Sequence, residues 1–290
     1  MSIGTLLGHL DEMHAVAGLM VGLLVGLTGV GGGSLMTPLL VLMFGVNPQT
    51  AVGTDLLFAA GTKTVGSTVH GWRETVSWKI VGLLAAGSIP ASIVSLIILN
   101  HMSHPPASAQ SIMLLVVAVM LVFTSITVMF QQKLIDYARA RGNPGERRGN
   151  TALFTILLGA VLGAAVTFSS VGAGAIGVTI LILLYPGQPV ARIVGTDIAH
   201  AVPLTLVSGV GHWIIGDVDG LLLVNLLVGS IPGVIVGSLV SSRAPDKVLR
   251  PILAIVLAIS AWQLVTKVLT PEKKHKAAAE VSAPAKPAAR

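Results

Sequence analysis

Residues 15–44 read AVAGLMVGLLVGLTGVGGGSLMTPLLVLMF, and residues 151–185 read TALFTILLGAVLGAAVTFSSVGAGAIGVTILILLY. Each is a pair of short apolar stretches, 15–28 with 34–44 and 151–166 with 175–185, split by a glycine-rich break. A membrane-spanning helix needs about 20 mostly apolar residues. The 11-residue stretches that follow the breaks at 34–44 and 175–185 are too short for that and have the length of re-entrant segments.

The flanking sequence fixes the class. Further apolar stretches run over 52–70, 76–99 and 108–130, and again over 193–214, 221–240 and 248–269. Of the 290 residues, 53% are hydrophobic and 10% charged. A typical soluble domain is about 25% charged. An ordinary cytosolic enzyme is thereby excluded, as is a nucleic-acid binder, despite the net charge of +6. The basic residues gather in a few loops and the tail, the membrane-protein distribution. The absence of cysteine removes thiolate metal sites, disulfides and thiol catalysis. The chain is read as an all-α polytopic membrane protein.

The two halves repeat. Gly53-Thr54-Asp55 recurs as Gly195-Thr196-Asp197, and Gly87-Ser88-Ile89-Pro90 as Gly229-Ser230-Ile231-Pro232, both at an offset of 142. His70 and His212 match at the same offset. Upstream the offset is 141, where Val30-Gly31-Gly32-Gly33 pairs with Val171-Gly172-Ala173-Gly174. Apolar composition yields chance Leu and Val matches, but not Asp, His and a Gly-Ser-Ile-Pro string in register. The division expected is an N-terminal segment 1–14, a first repeat 15–130, a basic loop 131–150, a second repeat 151–270 and a disordered basic tail 271–290. Segment 1–14 holds Asp11 and Glu12 but no Lys or Arg, unlike the basic start of a signal peptide.

Lys133, Arg139, Arg141, Arg147 and Arg148 place the central loop in the cytoplasm, and by default the membrane is a bacterial inner membrane. Counting back, the turn holding Arg73 and Lys79 also falls inside, while loop 100–107, with no Lys or Arg, falls outside. Re-entrant hairpins at the breaks give inverted halves and an external tail. Broken helices that cross give parallel halves and an internal tail. The length of the short stretches favours inversion.

These motifs together resemble the TauE/SafE sulfite exporter family. The residues that carry the resemblance are Val30-Gly31-Gly32-Gly33-Ser34-Leu35 leading into Pro38-Leu39-Leu40, Ala51-Val52-Gly53-Thr54-Asp55, Gly87-Ser88-Ile89-Pro90, and the echoes Ser170-Val171-Gly172-Ala173-Gly174 and Gly229-Ser230-Ile231-Pro232-Gly233. The resemblance covers about 15–269 and implies a secondary transporter of sulfite or small sulfur-containing and organic anions across the bacterial inner membrane.

The residues themselves point to an anion site. Unwound backbone is tolerated in a bilayer only where protein buries it or a cavity is lined. The half-helix that starts at Ser34 offers free N–H groups and a positive dipole end. Gly31, Gly32, Gly33 and Ser34 are therefore candidate substrate contacts, and Ser169, Ser170, Gly172 and Gly174 repeat the device. The spaced glycines Gly18, Gly22 and Gly26, and Gly229, Gly233 and Gly237, are assigned to helix packing instead. No Lys-Ser/Thr follows the glycines, which excludes a nucleotide P-loop.

Charges inside apolar stretches are costly and carry meaning. Lys63 lies in mid-stretch, its repeat equivalent is Thr205, and it is read as a substrate-facing cation sharing a face with Ser67 and His70. Asp55 and Asp197 are placed in the first turn of their helices, with capping and proton carriage both open. His200, three residues after Asp197, has Phe58 as its counterpart and is a relay or structural candidate. His70 and His212, beside Trp72 and Trp213, suit an interfacial belt. Pro90 and Pro232 kink their helices, with Ser88 and Ser230 placed to take up freed carbonyls. No HExxH and no dense His/Asp/Glu cluster occurs, so neither metal nor cofactor is expected, and no catalytic residue.

The expected function is alternating-access transport of a sulfite-like anion, with proton coupling, by a non-enzyme. The expected partners are the anion, the bilayer and a second copy of the chain in a homodimer, with no nucleic acid. A carrier of another solute or of a cation, or a membrane assembly subunit, are the alternatives. A cation carrier would not need Lys63, and a structural subunit would have no reason to bury it.

Overall fold

The computed structural model describes residues 11–28, 33–70, 76–101, 107–141, 150–172, 174–240 and 246–269. Among them are ten helices: α1 Glu12–Thr28, α2 Gly33–Leu42, α3 Pro48–His70, α4 Trp78–His101, α5 Ala107–Arg141, α6 Thr151–Ser169, α7 Ala175–Leu184, α8 Val190–Ile215, α9 Gly220–Val240 and α10 Asp246–Leu269. Six stretches, within α4, α5, α6, α8, α9 and α10, are long and apolar enough to cross a membrane.

The surface is turned out for lipid. Ile93, Val94, Ile97 and Ile98 of α4, and Leu115, Val119, Val122 and Phe123 of α5, are exposed, whereas Ser88, Ser92, Thr167, Asp55, Asp197 and His200 are buried. Water-facing helices distribute these types the other way.

Bare glycines set how closely the helices approach. Gly18, Gly22 and Gly26 of α1 lie against the backbone of Leu226, Ser230 and Val234 of α9, while Gly229, Gly233 and Gly237 face back from α9 toward Ala15, Leu19 and Leu23. A Cβ at any of these positions would run into backbone. The packing role expected for both glycine series is thus what they perform. The same contact joins α6 to α4: Gly159 and Gly163 lie on the backbone of Leu84 and Ser88, and Gly87 on that of Ile156. In both pairs the contacts advance together along the sequence, so the paired helices run parallel.

Between these pairs, α3 and α8 cross at the centre. Leu57 packs over Gly209 while Gly53 meets the His212 side chain, so these two helices run antiparallel. Two bonds lock them to the far side: the Asp219 N–H donates to Thr54 Oγ1 at 3.1 Å, and the Ser77 N–H to Thr196 Oγ1 at 2.9 Å. On the outside, α5 and α10 pack together, with Ser125 Oγ donating to the Ala254 carbonyl at 2.8 Å.

Two expectations change. The polar stretch after residue 130 begins as helix, because α5 continues to Arg141. Gln, Lys, Leu, Ala and Arg at 131–141 are good helix formers, and Ile135 is buried against the apolar cluster of Leu84, Leu162 and Leu181. Polarity there does not end the helix. Second, α3 starts at Pro48 and α8 at Val190, so Asp55 and Asp197 each stand eight residues into their helices. Pro48, with no N–H to satisfy, suits a helix start. Neither acid caps its own helix.

A central site between two helix breaks

The second break is well defined. Ser170 ends α6 in the left-handed conformation with φ of 56°, and its N–H donates to the Val166 carbonyl at 2.7 Å. Gly172 and Gly174 follow with φ of 123° and 129°, values that favour glycine. Helix α7 then closes its first turn with Val178 N–H donating to the Gly174 carbonyl at 3.0 Å. Ser169 pins the break: its hydroxyl donates to the Ala165 carbonyl at 2.6 Å and accepts the Val171 N–H at 3.1 Å. That hydroxyl is occupied by backbone.

At the first break, Gly31 and Gly32 lie outside the described residues. Gly33 opens α2 and Ser34 is buried in its first turn. Asp55 of α3 reaches across to this half-helix, where its Oδ2 accepts both the Thr37 N–H at 3.1 Å and the Thr37 hydroxyl. The next residue, Pro38, has no N–H, so Asp55 holds α2 immediately before its proline. Ser170, at the other break, lies beside the same carboxylate. One acid therefore stands between the half-helix α2 and the residue that ends α6.

Asp197 occupies the matching place by α7 but bonds differently. Its Oδ1 lies against Gly177, where any Cβ would collide with it, and has no hydrogen-bond partner among the described residues. The residue of α7 that corresponds to Thr37 is Val178, which lacks a hydroxyl and whose N–H is used within its helix. The repeat that looks equal in sequence is unequal in chemistry.

Lys63, partly buried on α3, is within electrostatic reach of Asp55, Asp197 and His200. The side chains of Ser67 and His70 fall outside the description. His200 is fully buried, and its Nε2 lies 2.8 Å from Ser88 Oγ. Ser88 thus serves the histidine rather than a carbonyl freed by Pro90, and Ser230 makes only a long 3.4 Å contact to the Leu227 carbonyl. Both prolines do lie inside their helices, α4 and α9. His212 is buried, not interfacial: its Nε2 lies 3.0 Å from the Thr167 carbonyl. Trp213 beside it is exposed.

Sequence reasoning missed a cluster of hydroxyls. Ser92 and Ser208 meet at 2.8 Å, and Thr167 joins them at 3.0 and 3.1 Å, where α4, α6 and α8 converge. The i, i+4 spacing of His200, Ser208 and His212 along one face of α8, through Leu204, was the available signal. Thr37 and Arg250 were also unmarked. Among the described residues no group of three or more His, Asp or Glu is placed to hold a metal ion.

A multi-pass helical protein with lipid-facing apolar surfaces and a buried charged centre flanked by helix breaks is a membrane transporter. The chain belongs to the sulfite exporter TauE/SafE family, whose model matches residues 14–264. It is 38% identical over 251 residues to the probable membrane transporter protein YjnA of Bacillus subtilis strain 168, covering 86% of this chain and 97% of that one. It is 27% identical to the probable membrane transporter protein YdhB of the same organism, over 84% of this chain and 96% of that one. No solved structure matches it.

Proposed function

We propose that the chain is a secondary transporter of sulfite or a related small sulfur-containing or organic anion across the bacterial inner membrane, working by alternating access with proton coupling. What supports this reading is the buried centre in which Asp55 holds the half-helix α2 and lies near Ser170 of the second break, with Lys63 within electrostatic reach of Asp55 and Asp197. Two half-helix N-termini and one lysine attract an anion. Two acids beside them make the empty site a poor place for an unaccompanied anion, which is the reason to couple a proton. Ser34, Ser170, Gly172 and Gly174 are assigned to the anion site, as is the Gly31-Gly32-Gly33 run, by their place at the breaks in the sequence. Pro90 and Pro232 serve as hinges of α4 and α9.

The halves are read as an inverted duplication. Contacts recur in register: Gly18 on Leu226 answers Gly159 on Leu84, and Gly22 on Ser230 answers Gly163 on Ser88. Thr54 with Asp219 answers Thr196 with Ser77. The corresponding helices α3 and α8 run antiparallel, which favours inversion and, with it, re-entrant α1–α2 and α6–α7 hairpins. Each half supplies a break to one shared centre that rocking of the halves would expose to alternate sides.

Uptake of labelled sulfite into proteoliposomes, compared with taurine, sulfoacetate and thiosulfate, tests the reading. Saturable sulfite flux that responds to a pH gradient supports it. No flux of any of these anions would overturn it in favour of the other candidate, a carrier of a cation or neutral solute.

A further inference from the structure

Asp55 and Asp197 occupy equivalent positions, and each has a buried Oδ1 without a hydrogen-bond partner among the described residues; Asp55 in addition has its Oδ2 fastened to α2. Thr37 gives it two donors and Ser170 stands beside it. Asp197, 1% exposed, has no such donor for Oδ1 among the described residues. A buried carboxylate oxygen left without a donor is costly, about 1–3 kcal/mol or more. An unmatched acceptor of this kind needs a reason, and a cavity beside it supplies one.

Asp197 also lines a cavity. That cavity is lined by Gly174 and Ala175 at the start of α7, by Arg250 near the start of α10, and by Thr28 and Gln131. It therefore holds three kinds of group: backbone N–H donors at the first turn of a ten-residue helix, a guanidinium, and one acceptor-only carboxylate. Donors and a cation suit the oxygens of an oxyanion. The carboxylate would repel those oxygens unless one of them carries hydrogen.

We propose that Asp197, Arg250 and the N-terminus of α7 form a subsite for an oxyanion that bears its own hydroxyl, hydrogensulfite being the member of that class the proposed function supplies. The hydroxyl donates to Asp197, and the remaining oxygens take the Ala175 end of α7 and the Arg250 guanidinium. Hydrogensulfite against a carboxylate and sulfite against a carboxylic acid are the same complex, with a single proton and the same total charge of two minus. Lys63 lies within electrostatic reach of Asp197 and offsets its charge from the side of α3; Asp55 and His200 are the other titratable groups around Lys63. Asp197 thus selects the protonated form of the anion, and the proton travels with the cargo. This rests on the anion-transport reading above.

The test is equilibrium binding to the purified full-length chain in lipid nanodiscs, using labelled hydrogensulfite and methanesulfonate. The two anions share charge and a sulfur–oxygen head, but methanesulfonate has no hydroxyl. Wild type is expected to prefer hydrogensulfite by about tenfold or more, the effect of one hydrogen bond to a charged group. Asp197→Asn, whose amide also offers donors, should shrink that preference to near unity, and Arg250→Gln should weaken both anions together. Equal binding of the two by wild type, or a preference that survives in Asp197→Asn, overturns the subsite while leaving anion transport standing. Should Asp197→Asn fail to fold, the wild-type ratio and Arg250→Gln decide. Failure of wild type to bind either anion overturns the anion-transport reading and the subsite with it.

Discussion

The Asp55 carboxylate on α3 holds both the backbone N–H and the hydroxyl of Thr37 on α2. This ties the half-helix after the first break to a helix that runs through the middle of the protein. Removing the hydroxyl by Thr37→Val keeps the shape and leaves a fully buried acceptor short of a donor. The expected loss is about 1–3 kcal/mol, read as a lower melting temperature in detergent. A melting temperature equal to wild type would mean that Asp55 does not hold α2.

The glycine contacts between α1 and α9 and between α4 and α6 leave no space for a side chain. Gly22→Leu and Gly163→Leu should prevent assembly, seen as loss of monodisperse protein on extraction. Gly82, on the same helix as Gly87, has open space where a Cβ would stand. Gly82→Ala should therefore be tolerated and gain up to about 1 kcal/mol from helix propensity. Equal tolerance of Gly163→Leu and Gly82→Ala would refute the packing described for α4 and α6.

Inverted halves fix the sides of the membrane. With the basic region after α5 in the cytoplasm, a reporter fused after Arg290 should read periplasmic, and one inserted between Gly142 and Gly149 cytoplasmic. Both reporters on one side would require an even number of crossings from the central loop to the tail, and the re-entrant hairpins would be wrong.

Much of the architecture was legible because it depends on local rules. Glycine series at four-residue spacing mark close helix contacts wherever they occur, and a left-handed Ser170 followed by Gly172 and Gly174 marks a break. What the sequence hid depends on which helix ends up facing which. Thr37 looks like any helical threonine until α3 brings Asp55 to it. Arg250 has nothing in the sequence to set it apart from other basic residues, yet it borders the cavity that Asp197 lines. Ser92, Thr167 and Ser208 come from three helices, and the spacing of Ser208 with His200 and His212 on α8 was the one hint of a polar face. The start of α8 at Val190 was obscured because Pro189 and the polar residues before Gly195 resemble a loop end, which moved Asp197 to the wrong turn.

The hydroxyl cluster is specific to one half. Its counterparts Val234, Gly26 and Gly66, like Phe58 opposite His200, carry no hydroxyl or ring nitrogen. Ser92→Ala with Ser208→Ala removes two polar groups together, so the Thr167 hydroxyl still has the Gly163 carbonyl at 2.7 Å. Stability should change by no more than about 1 kcal/mol, while a fall in transport at unchanged melting temperature would assign the cluster to the conducting path. A drop in melting temperature of the same size as for Thr37→Val would assign it to folding.

Lys63 carries the central claim, because it is the cation that both acids share. Binding of labelled sulfite to purified wild type, Lys63→Met and Lys63→Arg should be measured alongside their melting temperatures. Met keeps most of the length and removes the charge, so Lys63→Met should lose sulfite binding, and Lys63→Arg should keep part of it. If the lysine serves only to balance Asp55, adding Asp55→Asn to Lys63→Met would restore both stability and binding. Sulfite binding by folded Lys63→Met at wild-type affinity would contradict a substrate-facing lysine at the centre of this transporter.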